Sequence, residues 1–226
     1  MRTFSENEIL QVRQILNEKK QIFPQEWLGR ALAYTPYQPR PLCKVLKKHK
    51  DSIPKKLYHF SESLVAKLQS VDLKEQASFL QIAKNHEDSA SGFLVESLES
   101  LTYIRRYVNL PLIYDFLILD SYQLLESLVY GADGIILLPQ FLTQNQLKNL
   151  SDYALKIGLE RIFRIKSKDD LTKSIFAKAD ILDLNGNFSL LSMIPKNKII
   201  LSQIPEVILE NQKNAFKALD AEIVIL

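Results

Sequence analysis

The chain has 226 residues, 46% of them apolar, enough for one large α/β core or two small ones. A formal net charge of +3 is too mild to suggest a nucleic-acid partner by composition, and the single Cys43 excludes an intramolecular disulfide and a cysteine-rich metal site. No apolar run reaches membrane-spanning length and the polar start MRTFSENEILQVRQ is unlike a signal peptide, so a cytoplasmic protein is expected.

In chain order, residues 5–20 predict a helix capped by Ser5, with Ile9, Val12, Ile15 and Leu16 on one face. A second helix is expected over 24–34. Pro36, Pro39 and Pro41 make the next stretch a loop, and a third helix is expected from about Pro41 to His49. The basic run Lys44–Lys56 carries six lysines against one aspartate. Without a set of stacking aromatics it reads as a solvated helix face and linker, and no nucleic acid is expected.

From residue 55 short apolar runs alternate with amphipathic stretches. Strands are expected at 56–60, 77–83, 111–115, 134–138, 161–165, 180–184, 198–202 and 221–226, eight in all. Thr143 with Gln146 forms a capping box, Ser167 can cap the helix after it, and Gly131 and Gly158 fall where helices must stop. Leu147, Leu150, Ala154 and Ile157 form one apolar stripe. Ser89–Gly92, SASG, reads as a plain loop rather than an anion nest.

Alternating strands and helices imply parallel βαβ units, and eight of them suit a (β/α)₈ TIM barrel, with functional groups at the C-terminal strand ends. A doubly wound open sheet is the alternative. Residues 1–54 are expected as an N-terminal helical extension packed outside a barrel of residues 55–226. Leu226 falls inside the expected eighth strand, so the barrel is expected without its C-terminal helix. The apolar faces of strands one and eight would then need a protein partner or a second copy to cover them. The chain has six glycines and neither a GxGxxG nor a P-loop pattern, so no cofactor is expected.

Several segments carry a resemblance: SLESLTYIRRYVNLPLI (97–113), DSYQLLESLVYGADGIILLPQFLTQNQL (120–147), GLERIFRIKSKDDL (158–171), SMIPKNKIILS (192–202) and FPQEWLGRALAYTPYQPRPL (23–42). Their order and spacing resemble indole-3-glycerol-phosphate synthase, a TIM-barrel enzyme that closes an indole ring with loss of CO₂ and water. The resemblance implies a lysine general acid, glutamates for base and electrostatic work, and a tight phosphate site.

The positions where the family carries that chemistry hold other residues. Its first-strand glutamate and lysine correspond to His59 and Ser61, and its third-strand lysine to Asp115, or to Tyr114 when aligned on Asp-Phe. Its fifth-strand glutamate becomes Arg164. In its Asn-x-Arg pattern Asn185 is kept and Asn187 replaces the arginine. Its Ser-Glu-Ser-Gly becomes Ser202-Gln203-Ile204-Pro205. Proline has no N–H to offer an anion.

Three readings follow. The first is a non-catalytic paralogue or partner subunit, with Arg164 and Asp115 as a structural ion pair, Asp183 or Asn185 as alternative acceptors, and His59 and Asn185 as structural groups. The second is a rebuilt pocket in which His59, Asp115, Arg164, Asn185 and Gln203 meet a small anionic ligand. The third is a divergent active synthase. No metal site is expected, because no carboxylate–His spacing suggests one.

Overall fold

The computed structural model describes residues 4–49, 52–60, 73–204 and 213–226. The chain opens with α1 (Glu6–Ile22), α2 (Gln25–Leu32) and α3 (Leu42–Leu46). Eight strands follow: β1 (Lys55–Phe60), β2 (Gly92–Val95), β3 (Leu112–Tyr114), β4 (Gly134–Leu137), β5 (Glu160–Arg164), β6 (Ile181–Asp183), β7 (Ile199–Gln203) and β8 (Ala221–Ile225). Between them lie α4 (Leu73–His86), α5 (Leu98–Arg105), α6 (Ser121–Val129), α7 (Gln144–Lys156), α8 (Lys168–Phe176) and α9 (Lys213–Lys217). The strands pair in sequence order, all parallel, and β1 closes on β8. This is the expected closed TIM barrel, and the open sheet is excluded.

Local chemistry sets the helix ends. Ser5, Thr143 and Ser167 each cap a helix reciprocally with the residue three positions on. Gly131 and Gly158 follow α6 and α7 at φ +97° and +85°, a backbone region that L side chains rarely enter. In α7, Leu147, Leu150 and Ala154 are buried as the stripe requires.

One strand lies elsewhere than expected. Residues 77–83 belong to α4, and the second strand is Gly92–Val95. The apolar positions Leu73, Ala77, Leu80 and Ala83 recur at helical spacing, and Ala83 is fully buried. The true strand has only four residues, too few to display a period. It starts inside SASG, where a Cβ on Gly92 would stand 2.9 Å from the Pro111 carbonyl oxygen. The backbones of β2 and the β3 approach meet there, and only glycine fits.

Successive residues of a strand face opposite sides of the sheet. Here one set packs outward against the helices, including Tyr58, Phe93, Leu112, Ile135, Phe163 and Leu182. The other set fills the barrel: Leu57, Leu94, Ile113, Ile136, Ile162, Ile181, Leu201 and Ile223. Leu42 and Leu46 of α3 are fully buried in that interior cluster. So α3 closes the barrel floor rather than packing outside, and Val12 of α1 joins the same interior cluster. At the other end Phe4 packs edge-on against Phe116 and Phe141, just beyond β3 and β4. Lys19 and Lys20 tie α1 to α6 through Glu126 and Asp120, each at 2.7 Å.

The floor is held by a second buried cluster. Asp133, fully buried, accepts from the backbone N–H groups of Leu112 and Arg40 and pairs with Arg105 at 2.6 Å. Burial outweighs these hydrogen bonds and holds its carboxyl above the ordinary value. No helix among the described residues is long and apolar enough to cross a membrane.

Candidate functional site

The apolar interior layer fixes what lies above it. Two residues further along each strand, the side chain points inward again, at the C-terminal mouth. From Leu57 that residue is His59, from Leu94 Glu96, from Ile113 Asp115, from Ile162 Arg164 and from Ile181 Asp183. Five of the eight mouth positions are therefore ionisable. The other three are Leu138, Gln203 and Ile225.

Arg164 organises this layer. Its Nη1 and Nη2 each donate to one oxygen of Asp115 at 2.8 Å, a bidentate fork, and its Nε donates to Asp183 Oδ2 at 2.7 Å. All three side chains are buried, Asp183 fully. Burial alone would lower the guanidinium's pKa. The charges of Asp115 and Asp183 outweigh it and hold Arg164 above its ordinary value. His59 Nε2 stands 3.1 Å from Glu96 Oε1 and 3.4 Å from Asp115 Oδ2, so the imidazole joins a third carboxylate to the cluster. Among the described residues no group of His, Cys, Asp and Glu has metal-site geometry.

The structure thus brings together three of the five expected residues, His59, Asp115 and Arg164, and leaves the other two outside the ion network. Asn185 adopts the left-handed conformation at φ +51°, and only its backbone N–H reaches Asp183, at 2.9 Å. Gln203 ends β7 half-buried, and its Nε2 meets no hydrogen-bond partner among the described residues. Asn187 spans two loops, donating to the Lys166 carbonyl and accepting from Ser189. Ser61 and Pro205 lie outside the described residues.

Sequence reasoning missed Glu96. With β2 placed fifteen residues early, its inward period could not be extended past Leu94. Once the strand is located, the alternation Leu94, Glu96 is the signal.

The sequence profile of indole-3-glycerol phosphate synthase matches residues 9–187. The chain belongs to the indole-3-glycerol phosphate synthase family. The Campylobacter jejuni subsp. jejuni serotype O:6 (strain 81116 / NCTC 11828) relative is 35% identical over 209 residues, 83% of this chain and 80% of that protein. The Campylobacter concisus (strain 13826) relative is 33% identical over 215 residues, 86% and 81% of the two chains. That from Sulfurimonas denitrificans is 31% identical over 217 residues, again 86% and 81%. All three are named indole-3-glycerol phosphate synthase. Among solved structures, the N-acetylmannosamine-6-phosphate 2-epimerase from Clostridium perfringens superimposes with a TM-score of 0.62 over 84% of this chain and 92% of that one. At 12% identity that likeness concerns the fold alone.

Proposed function

We propose that this chain is a non-catalytic member of the indole-3-glycerol phosphate synthase family, a barrel retained as a paralogue or partner subunit. The observation that carries this reading is the state of Arg164. It occupies the fifth-strand position expected to hold a glutamate, and its fork is taken up by Asp115, at the position expected to hold the catalytic lysine. Ring closure needs a proton donor at the third strand and a carboxylate facing it. Here an obligate cation and a carboxylate bind each other.

Magnitudes support the reading. A general acid contributes about 10²–10⁴ in rate, and each fixed electrostatic partner on the order of 10²–10³. With lysine and glutamates replaced together, little acceleration remains even when the losses are not additive. The mouth is also poorly matched to an anionic substrate, since Glu96, Asp115 and Asp183 face one arginine and one histidine.

The test is direct. Purified protein is incubated with the carboxyphenylamino-deoxyribulose phosphate substrate, and the product indole-3-glycerol phosphate is followed by its indole fluorescence. No turnover above background is expected. Turnover on the order of 1–10³ per second would overturn the proposal and make this a divergent active synthase.

A further inference from the structure

We propose that the floor of the barrel, at the end opposite the mouth cluster, carries a groove for a small organic anion: a phosphate or carboxylate on an apolar body. Lys47, at the end of α3, meets Lys196 and Lys198, about 150 residues away in the segment entering β7, around a cavity of about 380 Å³. That volume lies within the range of roughly 300–1,000 Å³ typical of small-molecule sites.

The lining has two parts. Leu191, Ile194, Ile200 and Ala218 supply an apolar floor. The lysines supply the charge, and the two carboxylates nearby, Asp220 and Asp180, leave an excess of positive charge at Lys47 and Lys196. Asp220 accepts from the backbone N–H groups of Ile200 at 2.9 Å and Lys48 at 3.3 Å. Lys198 reaches Asp180 only at 3.6 Å. Lys47 and Lys196 pair with no carboxylate among the described residues. Exposed ammonium groups hold a bare anion weakly. An apolar body seated on the floor adds burial to the charge contact, so the groove favours a ligand carrying both.

The experiment is an amide-resolved NMR titration of the intact chain with 1-naphthyl phosphate, 1-naphthoate, inorganic phosphate and neutral 1-naphthylmethanol. A naphthyl anion is expected to bind saturably, about ten-fold tighter than inorganic phosphate or the neutral alcohol, and to shift Lys47, Asn197 and Ala218. The tighter of the two naphthyl anions identifies the head group. The double variant Lys47→Ala/Lys196→Ala should weaken it about five- to ten-fold with no change in melting temperature, because both side chains are exposed. Unchanged affinity in the double variant, shifts confined to the C-terminal strand ends, or no saturation by about 10 mM would each overturn the proposal.

Discussion

Arg164→Ala tests whether the mouth cluster is structural. The substitution removes three charge-assisted hydrogen bonds and leaves Asp115 and Asp183 buried without their cation. Breaking a buried pair from one side costs about 3–5 kcal/mol, because the stranded charges keep their desolvation penalty. For a domain of this size each kcal/mol moves the melting point by roughly 2–4 °C, so the variant should melt about 6–20 °C lower. The deficit should shrink as pH falls from 7 to 5. Stranded carboxylates bind protons more readily in the fold than in the unfolded chain, so acid relatively stabilises the variant. Scanning calorimetry at several pH values, with and without inorganic phosphate, reads both effects. An unchanged melting point, with wild-type phosphate stabilisation that the variant lacks, would refute the reasoning and make Arg164 an anion-binding group.

Two further outcomes follow from the packing. Burial and the neighbouring Glu160 carboxylate push the Cys43 thiol up to about 12; it should therefore react with a disulfide reagent at pH 8 far more slowly than after unfolding. Stability should also fall as pH rises above about 9, where the unfolded thiol ionises first, and Cys43→Ala should reduce that alkaline slope, leaving the part from Tyr122 and Tyr130, whose hydroxyls burial also holds above the ordinary value. Gly92→Ala should cost about 1–3 kcal/mol by urea denaturation, since its Cβ would stand 2.9 Å from the Pro111 carbonyl and a backbone must move. A cost under about 0.5 kcal/mol would mean that β2 and β3 can separate freely.

The barrel was legible where strands and helices were long enough to show their periods. The capping boxes at Thr143 and Ser167 and the stops at Gly131 and Gly158 were legible too, because they are local. β2 was not, since residues 77–83 within α4 are as apolar as a strand and GFLV is too short to outweigh them. At the mouth, Asp115 and Asp183 could be named as acceptors for Arg164 because each lies at a strand end. The share of each could not be named, because a guanidinium can serve two carboxylates from three nitrogens and only the register decides which. The groove at the floor joins Lys47 to Lys196 and Lys198, a proximity with no local sequence signal. The entry of α3 into the floor was hidden for the same reason: Leu42 and Leu46 look like an ordinary helix face until the strands above them close.

On the proposed non-catalytic reading, the mouth pair also constrains any attempt to install the family's chemistry. Asp115 and Arg164 share a two-point contact at 2.8 Å inside a buried layer. The family pattern implies a lysine at the first position and a glutamate at the second, so the charges stand inverted while the pairing of opposite signs is kept. Asp115→Lys alone would place two cations together out of water, and Arg164→Glu alone would gather four carboxylates, Glu96, Asp115 and Asp183 among them. Each single change should therefore cost at least about 3 kcal/mol. The double variant restores opposite charges and should recover a good part of the loss, with a coupling energy of about 1–3 kcal/mol in a double-mutant cycle read by urea denaturation. Additive costs would mean that Asp183 rather than Asp115 is the dominant partner of Arg164. The double variant is also the minimal background in which ring closure can be assayed with a lysine at residue 115, because the single lysine variant confounds lost chemistry with a lost fold.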